Sequence, residues 1–311
     1  MLAGIYPIVP TPFDDQGALD LGSIRSLTER FSGLGVDGLA VLGVMGEAER
    51  LTEAERDRVV SAFREALPRD RALIAGAGGA GTDVAIHACR RAVECGADAL
   101  LVAPPRVQND TVLLGYYERI SGAVPTPMIV HDYPTATGVL LSPTLLARLY
   151  AEVEWVRYVK LEDPPTGPKI DRVRALAGGQ FGIFGALGGL YALEELERGA
   201  CGIMTGFAYP ELLVRLYRLH GAGRADEAAE LFDAILPLIR FEFQPVLGVA
   251  LRKALLVRRG AIRTATVRHP GGPADPTTLR QLERIVERLT ARGYLEPADA
   301  ARPLAPAVGD P

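Results

Sequence analysis

VRYVKLEDPP, residues 156–165, decides how the rest of the chain is read. Val156, Tyr158 and Val159 are strand formers. The run then ends in Lys160, Glu162 and Asp163, ionisable residues where further apolar side chains would fit, and a Pro-Pro pair closes it. A short apolar run of this kind is a strand buried on both faces, as in a parallel sheet, with polar groups gathered at its C-terminal end.

The same design recurs along the chain. GIYPIVPTPF (4–13), GLAVLGVMGE (38–47), RALIAGAGG (71–79), ADALLVAPP (97–105), PMIVHDYP (127–134), FGIFGALGG (181–189) and GIMTGFAYP (202–210) are apolar runs that end in Gly, Pro or polar residues. With VRYVKLED they make eight. Amphipathic helical stretches separate them, such as LTEAERDRVVSAFREAL (51–67) and TDVAIHACRRAVECG (82–96). Thr52 with Glu55 three residues on forms a capping-box pattern, and Thr82 or Asp83 is a candidate cap for the next helix. Eight βα units of this length predict an α/β chain folded as a (β/α)8 TIM barrel over residues 1–222. Three more helical stretches (225–241, 245–260 and 275–293) predict a C-terminal helical extension, 223–295, packed on the barrel. The tail EPADAARPLAPAVGDP, 296–311, is rich in Pro and Ala and is expected to be poorly ordered.

Composition excludes several functions. A formal net charge of -4 over 311 residues, with no basic cluster interleaved with aromatics, gives no nucleic-acid surface. The N-terminal MLAGIYPIVPTPF lacks a signal peptide's basic region and long apolar core, and no apolar run could span a bilayer. Cys89, Cys95 and Cys201 form no CxxC, and the four histidines build no His/Cys cluster, so the reading is a cytoplasmic protein without a metal site. GAGGAGTD (76–83) follows a strand but lacks the ending and spacing of a phosphate loop.

In such barrels the active site lies at the C-terminal ends of the strands. Thr11, Glu47, His131 with Asp132 and Tyr133, Lys160 with Glu162, and Thr205 all fall there. Lysine occurs only at 160, 169 and 253, every other Lys/Arg position being arginine. Burial disfavours the ammonium form of a lysine, and a neutral amine attacks a carbonyl to give an imine that acidifies the adjacent carbon. The alternative is a structural Lys160 paired with Glu162 or Asp163, or snorkelling to solvent; its rarity and placement favour chemistry. Lys253, in ALRKALLVRRG, reads as a solvated or snorkelling side chain. Glu47 reads as structural, Thr11 either donates to a substrate oxygen or holds the turn, and Thr205 and Gly206 are expected at the pocket floor.

At these residues the chain resembles the dihydrodipicolinate synthase / N-acetylneuraminate lyase family of Schiff-base barrels, over roughly residues 4 to 293. The motifs are IYPIVPTPFDDQG, GVMGEAERLTEAER, HDYPTATG, YVKLED and GACGIMTGFAYPEL. The resemblance implies that Lys160 is the imine-forming residue and that the amides of Met45 and Gly46 hold the carboxylate of a 2-oxo acid. It also implies a homo-oligomer, dimer or tetramer, with no metal or organic cofactor. The departures are specific. The family's two hydroxyl residues fall at Val44 and Met45, its strand-five tyrosine at His131, and the synthase's arginine at Ala136. His131 can carry the proton instead, with Tyr133 two residues on supplying a phenol on the same strand face. The motifs VRYVKLEDPP, GIMTGFAYPE, LPLIRFEFQPVLG and TVRHP are closer to the branch that includes 2-keto-3-deoxy sugar-acid dehydratases. The expected activity is therefore dehydration or retro-aldol cleavage of a keto-deoxy sugar acid. The alternatives are condensation of pyruvate with an aldehyde, a barrel that only binds a small acid, and a barrel enzyme acting on phosphorylated substrates.

Overall fold

The computed structural model describes residues 1–297 and Leu304. Its strands are β1 (Gly4–Ile5), β2 (Gly38–Val41), β3 (Ala72–Gly76), β4 (Ala99–Val102), β5 (Met128–Asp132), β6 (Val156–Leu161), β7 (Gly182–Gly185) and β8 (Gly202–Ile203). Between them run α1 (Leu21–Gly33), α2 (Glu53–Ala66), α3 (Thr82–Glu94), α4 (Asp110–Ala123), α5 (Pro134–Thr137), α6 (Pro143–Glu152), α7 (Thr166–Ala177) and α8 (Ala192–Glu197). After β8 come α9 (Pro210–Gly221), α10 (Ala225–Glu242), α11 (Gly248–Arg258) and α12 (Pro276–Ala291).

All eight strands are parallel; β2 to β8 pair in sequence order, and β1 pairs with β8. The ring closes through the bridge Ile8↔Ala40, so the predicted (β/α)8 barrel with C-terminal helices is the fold. The first apolar run spans ten residues but supplies only two to the regular ladder. Pro7, Pro10 and Pro12 have no amide hydrogen to give, and the run continues with single bonds such as Val9 N–H to the Ala40 carbonyl at 2.9 Å.

Alternation along the strands sorts the core into two parts. Tyr6, Ile8, Ala40, Ile74, Ala99, Leu101, Ile129, Tyr158, Phe184 and Met204 fill the barrel interior. Val130, Val159, Leu161 and Ile183 face the surrounding helices. Side chains two residues beyond an inward one also point inward. Ile129 therefore predicts an inward His131, and Tyr158 an inward Lys160.

The capping box forms as read. The Thr52 hydroxyl accepts from the Glu55 amide at 3.3 Å, and the Glu55 carboxylate accepts from the Thr52 amide at 2.9 Å. Neither Thr82 nor Asp83 caps α3, because that helix starts at Thr82 itself and Gly81 occupies the cap position. Apart from Glu296, Pro297 and Leu304, the tail 296–311 lies outside the described residues. Among the described residues no helix is long and apolar enough to cross a membrane.

Candidate active site

The site begins with a register. β5 and β6 shift by one residue at Met128 and Ile129, which sets His131 opposite Lys160. Both side chains enter the barrel above the Ile129 and Tyr158 layer. Glu162 follows two residues after Lys160 and shares its face. The three meet: Lys160 Nζ lies 3.2 Å from His131 Nε2, that nitrogen lies 2.9 Å from Glu162 Oε1, and Lys160 Nζ donates to the same Oε1. All three are buried, with 6%, 7% and 5% of their surface exposed for Lys160, His131 and Glu162. The structural pairing foreseen for Lys160 is thus present with Glu162, but the carboxylate is shared with an imidazole.

The electrostatics follow from that burial. Desolvation, reinforced by the Lys160 charge, pushes the His131 imidazole below its usual range, so it is neutral at neutral pH. For Glu162 burial alone would raise the carboxyl; the Lys160 charge and the His131 bond outweigh it and hold it below the ordinary carboxylate range. The Tyr133 ring stacks on the His131 imidazole at 5.8 Å between centroids, 27° between planes. Burial and the Glu162 charge push its phenol up, so it is a proton donor rather than a phenolate.

The turn Val44–Gly46 closes the opposite side of the mouth. Thr11 donates its hydroxyl hydrogen to the Gly46 carbonyl at 2.6 Å, which ties this turn to the segment that follows β1. The Gly46 amide donates to the Gly43 carbonyl at 2.9 Å, so the expectation that it faces a ligand is not met. The first residues of such a turn have no acceptor inside it, which leaves the Val44 and Met45 amides. Val44 directs its side chain outward, 54% exposed, while Met45 packs toward the interior cluster. Gly206 reaches the mouth: a Cβ there would lie 2.7 Å from Met45 Cγ, too close for Met45 to stay where it is, and 3.5 Å from Arg252 Nε, an ordinary contact. Thr205 is not brought to this group. It follows the inward Met204, and its γ-methyl lies against Gly189 beside Ile239.

Two reaches from the C-terminal helices complete the mouth. Glu47 Oε1 pairs with Lys253 Nζ at 2.5 Å, and its Oε2 accepts from Arg50 at 2.8 Å and from the Arg268 amide at 2.9 Å. Lys253 is therefore neither solvated nor snorkelling: none of its surface is exposed, and it also donates to the Thr266 carbonyl at 2.7 Å. Its neighbour Arg252 arrives between Met45 and Glu242. Glu162 was legible as a same-face neighbour of Lys160, two residues on. Arg252 gives no comparable signal, because ALRKALLVRRG reads as an ordinary basic helix. Among the described residues no group of three or more His, Cys, Asp or Glu is placed to hold a metal ion.

The chain as a whole has relatives of known kind. The sequence profile of the dihydrodipicolinate synthetase family matches residues 1–289. An L-2-keto-3-deoxyarabonate dehydratase of Azospirillum brasilense is 32% identical over 293 residues, 92% of this chain and 94% of that protein. A 4-hydroxy-tetrahydrodipicolinate synthase of Streptomyces coelicolor is 31% identical over 290 residues, 92% of this chain and 89% of its own. A solved dihydrodipicolinate synthase from Rhodopseudomonas palustris superposes with a TM-score of 0.89 at 32% identity, covering 93% of this chain and 98% of that one.

Proposed function

This chain belongs to the dihydrodipicolinate synthetase family, and from that premise we propose that it dehydrates a 2-keto-3-deoxy sugar acid through an imine on Lys160. The observation that supports this reading most is the buried cluster of Lys160, Glu162 and His131 on one inward face. The similarity to a sugar-acid dehydratase points the same way.

Each group has a task in that chemistry. The Lys160 proton passes to the Glu162 carboxylate, and the freed amine attacks the C2 carbonyl of the acid. Loss of water gives the protonated imine, which withdraws electrons from C3. Neutral His131 takes a C3 proton, the electrons move into the enamine, and the hydroxyl on C4 leaves as water after receiving that proton. Tyr133, stacked on His131 and protonated, is a second donor for the leaving hydroxyl. Hydrolysis of the imine then returns the amine, so the net change is loss of one water from the substrate. The Val44 and Met45 amides hold the carboxylate. The imine itself is the electron sink, so the reaction calls for no metal or organic cofactor.

Where the resemblance implies an arginine to hold a second carbonyl substrate, this chain has Ala136. A dehydratase has no second substrate, so it loses nothing by this, and condensation with an aldehyde is disfavoured. On the same footing we place the protein in the cytoplasm as a homo-oligomer.

The test is borohydride reduction in the presence of pyruvate and of a panel of 2-keto-3-deoxy sugar acids, read by intact mass and peptide mapping. A stable adduct on Lys160 is expected, and none in Lys160→Ala. With the acid that traps best, the product should be the parent less one water, without release of pyruvate. Pyruvate and an aldehyde in equal amounts would replace dehydration by retro-aldol cleavage. No adduct with any 2-oxo acid on folded protein would end the imine reading.

A further inference from the structure

The turn at Val44–Gly46 has no side-chain hydroxyl, yet a cation stands over it. Arg252 enters from α11 and is 4% exposed. One edge of its guanidinium is fixed, Nε lying 3.2 Å from Glu242 Oε2. Glu242 is itself fully buried and its Oε2 also accepts from the Ala208 amide at 3.1 Å, so the arginine's partner is itself tied to the backbone after β8. The other edge, at Nη1, meets the thioether of Met45. A thioether is a weak acceptor, a poor match for a buried guanidinium. The same guanidinium passes Gly206, with Nε 3.5 Å from where a Cβ on that residue would stand, and it interacts electrostatically with Tyr133 and Glu162. It therefore lies at the mouth, between the turn and the lysine cluster.

We propose that Arg252 binds the carboxylate of the 2-oxo acid, doing from helix α11 the work that side-chain hydroxyls on the Val44–Met45 turn cannot do. This rests on the imine reading only for the identity of the acid. Arg252 swaps the Met45 thioether for a carboxylate oxygen, a charge-assisted bond in a site sheltered from water. The carboxylate then sits between the guanidinium and the turn amides, and its C2 carbonyl is directed across the barrel to Lys160. The Met45 side chain must move aside, and as an unbranched thioether it can do so at little cost. Arg252 is thus a substrate-binding residue that selects for an acid over an uncharged carbonyl compound.

The test measures binding and covalent capture separately. Pyruvate and its uncharged analogue pyruvamide are titrated by calorimetry into the wild type, Arg252→Met, Arg252→Lys and the double variant Glu242→Gln/Arg252→Met. The double variant leaves no buried carboxylate without its cation, so the result does not depend on the single variant folding. Loss of the guanidinium should raise the Kd for pyruvate on the order of 10- to 100-fold, with Arg252→Lys between, and leave pyruvamide within about twofold. Unchanged pyruvate affinity in the folded variants overturns the proposal. So does an equal loss for both ligands, which would mean a packing defect. If only the longer sugar acids weaken, Arg252 serves the distal end and the assignment falls as well. Borohydride capture on Lys160 reports on the imine independently. Pyruvate bound by the wild type but never captured refutes the imine while the affinities still decide Arg252. A wild type that binds neither pyruvate nor any sugar acid refutes both.

Discussion

The three lysines of this chain are all buried, at 6%, 8% and 0% exposure for residues 160, 169 and 253. Scarcity of lysine therefore marks burial rather than chemistry. Lys169 pairs with Asp132 at 2.6 Å and Asp163 at 2.8 Å, and Lys253 pairs with Glu47. Such partners hold an ammonium in place. What distinguishes Lys160 is that its carboxylate is shared with an imidazole, so its proton has an onward route. A pH profile should reveal that route. His131 is held below its usual range, so turnover should stay level as pH falls through 6.5, where an ordinary histidine protonates, and drop only below that. The Glu162 bond and charge work against this lowering. Glu162→Gln should therefore move the acid limb to still lower pH and cut kcat on the order of 100-fold or more, since the Lys160 proton loses its acceptor. The check is kcat against pH for both proteins with the best-trapped sugar acid; an acid limb that stays put or moves up would remove His131 from the proton path.

Among the elements, the strands were legible because each is apolar on both faces, and the helices because their apolar stripe recurs at helical spacing. The first and eighth runs were long on paper and short in the ladder, two residues each in β1 and β8. Prolines explain the first. The α3 cap falls at Gly81, one residue before Thr82 and two before Asp83, the two candidates, since a glycine with extended backbone can also cap a helix. Side-chain direction beyond the strand ends was the least legible part. Thr205 follows an inward Met204 and turns toward Gly189, and no pattern in TGFAYP says so. The α2 cap carries a prediction of its own. Its Glu55 also accepts from Arg268 at 2.8 and 2.9 Å, joining the helix start to the segment after α11. Thr52→Ala should lower unfolding stability by about 1 kcal/mol, read from urea midpoints at constant m. The Arg268 bonds hold the Glu55 carboxyl down to about 2, against the opposing effect of burial. A depressed carboxylate stabilises above its unfolded pKa and loses that contribution as pH falls toward the folded value. Glu55→Gln should accordingly flatten the loss of stability between about pH 4.5 and 2.

At the scale of the whole molecule, the C-terminal helices are part of the barrel mouth rather than an outer layer. Lys253 and Arg252 are consecutive residues of α11, and one anchors the β2 turn through Glu47 while the other reaches into the site. Separation of over 200 residues hid this from the sequence: nothing in GVMGE announces a partner in ALRKALL. The Lys253 anchor is testable through linkage. Burial, only partly offset by Glu47, pushes its amine down to about 8. An unfolded chain keeps that proton up to about 10.4. Between these values the unfolded state binds more protons, so this residue makes stability rise with pH, by on the order of 3 kcal/mol across the window. The raw curve will not show it plainly. Burial pushes the Cys89 and Cys201 thiols up to about 12, so the unfolded chain loses those protons first and stability falls over the same range. The informative quantity is the difference between the wild type and Lys253→Met, in which the thiol contributions cancel. That difference should grow in favour of the wild type from pH 8 to 10, measured by urea unfolding at each pH. A flat difference would mean that Lys253 keeps its proton in the folded protein, and that the Glu47 pair binds the helices to the mouth as a permanent charge pair at any working pH.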